Sequence, residues 1–96
     1  MSRKSETVET KRKRLLFRST HRGTREMDIL LGDFFESNML DFNSDQLNEF
    51  EGLIEIPDDD LYNWAMGRIE IPKEFDTQLL QDFINSVQSR GAKKSL

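Results

Sequence analysis

Residues Arg22-Gly23-Thr24-Arg25-Glu26 bring two guanidinium groups and a carboxylate into five positions, the groups with which a protein surface forms charge-assisted hydrogen bonds to a partner. Gly23 lets the backbone turn with positive φ and puts no side chain in the way of close approach. Glu26, three residues on, falls in the first turn of a following helix, where the helix dipole favours an acid by about 0.3–1 kcal/mol when exposed. One short turn can therefore show a guanidinium and a carboxylate side by side, fixed by backbone. Catalysis is less well provided for. His21 is the only histidine, and a catalytic histidine needs an oriented carboxylate or nucleophile that no neighbouring residue supplies. Asp58-Asp59-Asp60 gather three carboxylates, but adjacent positions at a helix start diverge and no calcium-type loop accompanies them; capping of backbone amides is the expected role. No Gly-rich phosphate cradle is present.

A second charged motif, Lys11-Arg12-Lys13-Arg14, could release counterions from nucleic-acid phosphates. Consecutive residues point in different directions around a helix, however, and no aromatic residues interleave for base stacking. On a helix from Glu9 to His21, residues Lys11, Arg14, Arg18 and His21 share one side, with Leu15, Leu16 and Ser19 on its flank.

The elements that must hold these groups are helical. Met27, Leu30, Leu31, Phe34 and Phe35 recur at spacings of three and four, predicting a core helix from Thr24 to about Leu40. Gly32 within it costs about 1 kcal/mol relative to alanine and points to a close helix crossing or to mere tolerance. Ser44 is expected to cap a third helix carrying Leu47, Phe50, Leu53 and Ile54, which Pro57 ends. A fourth starts at Asp58–Asp60, places Leu61, Trp64 and Ala65 on one face with Tyr62 turned away, and stops at Gly67. Ile69-Glu70-Ile71-Pro72 reads as a connector, not a strand. The last helix begins near Lys73 or Phe75, carries Phe75, Leu79, Leu80, Phe83, Ile84 and Val87, and ends at Arg90-Gly91. The phenylalanines are assigned to the core. The fold class is thus all-α, a small bundle of five short helices, with a disordered tail over 1–8, the bundle over 9–90 and a basic disordered tail over 91–96.

Ninety-six residues without cysteine make one domain near the lower limit for a self-sufficient core. They offer neither disulfides nor thiolate metal sites. Apolar runs are too short to span a bilayer, and no signal peptide or presequence is evident. Charge is segregated: residues 1–25 carry nine Lys/Arg and two acids, residues 26–85 two against sixteen, and residues 86–96 three more cations. The resulting basic pole could be drawn to an acidic partner of any kind.

The lead-in Arg12-Lys13-Arg14-Leu15, the Arg22-Gly23-x-x-Glu26 motif with Asp28, the pair Phe34-Phe35, and the Asp58–Asp60 entry to Leu61-Tyr62-x-Trp64 and Gly67 together resemble the flavinylation factors of the succinate dehydrogenase flavoprotein. The resemblance spans roughly Arg12 to Gln88. It implies a five-helix, non-enzymatic assembly factor that binds the flavoprotein subunit and promotes covalent FAD attachment to that partner, by favouring the attachment-competent arrangement over others. It extends to a related fumarate reductase subunit as client. Arg22, Gly23 and Glu26 would carry the contact motif, with Arg14, Arg18, His21 and Arg25 beside them. No cofactor would be bound tightly by this chain, nor would nucleic acid or membrane be a partner, and the free protein would be a monomer. The expected location is a bacterial cytoplasm, or the mitochondrial matrix in a eukaryote. The competing reading is an antitoxin-like regulatory module that uses the basic pole on nucleic acid or another acidic partner. If Arg22 is displayed for contact, its truncation should leave melting nearly intact.

Overall fold

The computed structural model describes residues 6–94. The first five residues and the last two, parts of the expected tails, lie outside the described residues. Among the described residues there are five α-helices, α1 Val8–Thr20, α2 Arg25–Asn38, α3 Ser44–Leu53, α4 Asp58–Ala65 and α5 Gln78–Lys94, with a 3-10 turn Lys73–Phe75 before the last. No strand occurs among the described residues, and Ile69–Pro72 is a connector, as its short alternation suggested.

Each start has a local cause. Thr7 accepts a hydrogen bond from the Thr10 amide, and Thr24 does the same for Met27, so two threonines satisfy amides that the helix leaves unpaired. The third helix departs from expectation: Asn43, not Ser44, is the N-cap, and it forms a reciprocal capping box with Gln46. An amide side chain with Gln three positions on satisfies two donors, where Ser44 would satisfy one. The α4 start is also corrected. Pro57 occupies the cap position without a side-chain bond, and Asp58 is used elsewhere. Gly67, at φ +72°, closes α4 as expected.

Two boundaries near the C-terminus differ from the reading of the sequence. Phe75 belongs to the 3-10 turn, not to α5; it is 38% exposed and rests against Trp64, ring centroids 5.6 Å apart. Thr77 instead starts α5, accepting from the Leu80 amide. Helix α5 then runs through Gly91 to Lys94, because one glycine in a helix costs only about 1 kcal/mol and does not oblige a stop.

Nineteen buried apolar residues form one core cluster, centred on Phe34, Phe35, Phe42, Phe50 and Phe83. Phe35 stacks on Phe50 at 4.4 Å, and Phe34 meets Phe83 edge-on at 5.6 Å, the offset and T-shaped geometries that aromatic quadrupoles prefer. Trp64 joins this core, and Tyr62 is partly buried with the Arg68 guanidinium over its ring. Helix α1 contributes little to it. Only Leu15 and Ser19 are fully enclosed there, so α1 must be held by other forces. One is a close crossing: a Cβ on Gly32 would lie 2.7 Å from Thr20 Cγ2, which decides between the two roles open to that glycine.

Candidate docking face

A second set of contacts holding α1 is electrostatic, and it uses the groups expected to form a displayed basic face. Lys11 lies 3.3 Å from Glu51 and bonds Asn48. Arg14 forks between Glu6 and Glu51, with contacts of 2.7 and 2.8 Å. Arg18 reaches Glu55 at 2.9 Å. The Arg14 guanidinium is pushed further towards its charged form by hydrogen bonds to Glu6 and then Glu51. Its bond to Glu51, seconded by Lys11, lowers that carboxyl from 4.5 to about 2. The spacing that aligned the cations on α1 therefore matches acids on and after α3.

Two arginines go further and cap other helices. Neither α2 nor α3 has a basic residue in its last turn, where a cation would meet the free carbonyls and the negative end of the dipole. Arg12 supplies one at the end of α2, donating to the carbonyls of Met39 and Phe42 at 2.8 and 3.0 Å. Arg22 supplies the other beyond α3. Its guanidinium donates to the carbonyls of Ile54 and Ile56 at 2.5 and 2.9 Å and pairs with Asp58 at 2.7 Å. Its backbone amide also donates to Asp28. The Arg22 side chain is 9% exposed. The expectation of a displayed Arg22 is corrected: it faces inward, because three acceptors at the end of α3 and start of α4 outcompete water for one fork-shaped donor.

What the turn does display is the rest of the motif. Gly23 has φ +108° and nothing within 4 Å of where a Cβ would stand, so glycine is required there by conformation, not by crowding. Gly23, Arg25 and Glu26 are all exposed, and among the described residues neither Arg25 nor Glu26 has an ion-pair partner in this chain. His21 is exposed, stacked on Phe17 with centroids 3.9 Å apart and rings 12° from parallel, and its Nδ1 lies 2.8 Å from the Phe17 carbonyl.

Phe17 is a residue that the sequence reading missed. It is 62% exposed, although all phenylalanines were assigned to the core. Its place on the helical wheel, away from Leu15 and Ser19, was the available signal. The assembled site is a charged, aromatic-edged, exposed turn, backed by the largely enclosed Arg22 side chain. Such a face suits contact with a macromolecule rather than enclosure of a small one.

A small all-α bundle with an exposed, charged inter-helix turn is the class these features define. Comparison with known proteins is specific. The family described as "Flavinator of succinate dehydrogenase" matches residues 13–87. The chain is 36% identical over 85 residues to the FAD assembly factor SdhE of Acetobacter pasteurianus, covering 88% of this chain and 78% of that protein. It is 39% identical over 74 residues to the mitochondrial succinate dehydrogenase assembly factor 2 of Dictyostelium discoideum, and 38% over 81 residues to assembly factor 2-B of Drosophila mojavensis. It spans about half the length of these two mitochondrial relatives. No solved structure matches. The chain belongs to the family of flavinators of succinate dehydrogenase.

Proposed function

We propose that this protein is a non-enzymatic assembly factor that binds the flavoprotein subunit of succinate dehydrogenase and promotes covalent FAD attachment to it. The observation that carries the contact assignment is the exposed Gly23–Glu26 turn, locked from behind by Arg22. Arg25 and Glu26 meet complementary charges on the client, Gly23 lets the two backbones approach, and His21 flanks them. Arg22 acts behind this surface, with Arg14 and Arg18 holding α1 in register. The client completes its own covalent bond while its attachment-competent arrangement is stabilised, which requires tighter binding to that arrangement than to others. FAD belongs to the client, and this chain holds none tightly. The family match supports this reading. A related fumarate reductase subunit is a further client, the free factor is a monomer, and its setting is a bacterial cytoplasm or a mitochondrial matrix. Among the described residues no helix is long and apolar enough to cross a membrane.

The nucleic-acid reading loses its main support, because Lys11, Arg12, Arg14, Arg18 and Arg22 are engaged within the chain. The test of the preferred reading is co-expression with the flavoprotein in cells lacking the native factor, followed by in-gel flavin fluorescence. Glu26→Ala should melt like wild type and fail to support flavinylation. Normal flavinylation with that variant would remove the turn from the contact.

A further inference from the structure

Apolar side chains beside the turn remain exposed outside the core cluster. Phe17, 62% exposed, and Ile29, 39% exposed, lie on two different helices, and the Thr20–Gly32 contact relates them. Phe17 is one turn before Thr20 on α1, and Ile29 is one turn before Gly32 on α2. At 100° per residue, each lies on the side of its helix reached by moving outward from the core past that contact. Each helix thus turns an exposed apolar residue away from the buried side of the α1–α2 pair. His21 stands one turn beyond Phe17 towards the loop, and Arg25 one turn before Ile29.

Most cations of α1 are spent on internal acids and carbonyls, which leaves Arg25 and Glu26 as the charges beside this face. Interfaces concentrate energy in aromatic anchors surrounded by a polar rim. Phe17 has the form of such an anchor. Its ring is already fixed by the parallel stack on His21, and the His21 ring is itself pinned at the Phe17 carbonyl. Little side-chain freedom remains to be lost on docking.

We propose that the Phe17–His21 plate, extended by Ile29, is the apolar centre of the client interface, and that Arg25 and Glu26 are its rim. The occupant is the flavoprotein client, which presents an apolar recess wide enough for an aromatic ring beside charges complementary to Arg25 and Glu26. The plate is continuous in sequence and in space with the Gly23 turn, which joins α1 to α2. The inference rests on the reading that a flavoprotein is gripped at that turn.

The experiment measures binding of the full chain to the purified flavoprotein by biolayer interferometry, with melting followed by circular dichroism. Phe17→Ala should weaken binding roughly thirty-fold or more, the hot-spot scale, without moving the melting point. Phe17→Tyr should restore most of the affinity. Ile29→Ala should give a smaller loss. If wild-type chain does not bind the flavoprotein, the functional reading itself fails. If wild type binds and Phe17→Ala binds within three-fold of it, the plate is not the anchor and only this inference falls. Sedimentation velocity covers the other occupant: a concentration-dependent dimer that Phe17→Ala abolishes, with client binding unchanged, would assign the plate to self-association and overturn the proposal. If Phe17→Ala melts early, Phe17→Leu with wild-type melting decides, and wild-type affinity there would show that an aromatic plate is not needed.

Discussion

Truncating Arg22 should destabilise the fold rather than merely weaken a contact. Its side chain is 9% exposed and serves the Ile54 and Ile56 carbonyls and Asp58 together. Arg22→Ala leaves two carbonyls at the end of α3 without their donor and Asp58, whose side chain is 19% exposed, without its counter-charge. A hydrogen bond to a charged group contributes about 1.5–3 kcal/mol, and breaking a fully buried pair costs about 3–5 kcal/mol. Water can reach Asp58 and partly replace the lost donor, so the expected cost is about 2–4 kcal/mol. In a domain of this size each kcal/mol moves the melting point by about 4–8 °C, so the variant should melt roughly 8–32 °C lower.

The assay is urea and thermal denaturation of wild type, Arg22→Ala, Asp58→Ala and the double variant. The cycle should return a coupling of about 1–3 kcal/mol, because the two groups touch. Arg22→Lys should sit between wild type and alanine: it keeps a charge near Asp58 but cannot fork to three acceptors. A melting point for Arg22→Ala within about 3 °C of wild type would mean less than 1 kcal/mol is at stake. That would refute the inward-facing role and return Arg22 to the displayed surface.

The Glu51 carboxyl, held at about 2 against 4.5 by Arg14 and Lys11, favours the folded state while ionised. Its contribution is complete above pH 4.5 and disappears as pH falls towards 2. The stability gap between wild type and Glu51→Gln should therefore be widest near neutrality and close over that window in urea titrations, by at most about 3 kcal/mol and less with solvent screening. Gly32→Ala gains about 1 kcal/mol of helix propensity but meets Thr20 Cγ2 at 2.7 Å, an overpacking cost of about 1–3 kcal/mol. Thr20 is pinned by its hydroxyl bond to the Leu16 carbonyl, so the net change should be destabilising, and Thr20→Ser should reverse it in thermal melts. Gly23→Ala should cost about 1–2 kcal/mol through its φ of +108° alone, with no steric component for a second-site change to relieve.

The bundle was legible because periodicity is local. Met27 through Phe35 and Leu79 through Val87 each declare a buried face within one helix, and the Thr24 cap sits three residues from its donor, the Met27 amide. Cap identity at α3 turns on Gln46, whose reciprocal bond favours Asn43 over Ser44. The fate of the arginines could not be read this way. Arg22 finds its acceptors 32–36 residues away and Arg12 finds its own 27–30 away. A basic helix destined for an internal acidic neighbour has the same sequence as one destined for an external partner. Segregation of charge along the chain was real, but it measured an intramolecular match between α1 and α3, not a bare basic pole. Phe17 was mistaken for the converse reason: composition assigns aromatics to the core, while only the wheel position shows this one pointing out.

The placement of Arg22 also explains how so short a motif can work as a unit. A guanidinium between two exposed neighbours would be mobile, and ordering it on binding would cost about 0.5–1.5 kcal/mol per long side chain. Here that cost is met during folding: Arg22 ties the α1–α2 turn to the α3–α4 junction, Asp28 holds its amide, and Thr24 fixes the start of α2. Gly23 to Glu26 are then presented on a backbone fastened at both ends, while Phe17 and His21 stiffen the adjoining helix end. Arginine and glutamate in the motif thus face opposite ways, one inward to hold the turn and one outward to solvent. On the proposed function, losing either should abolish client maturation, and only the first should lower the melting point.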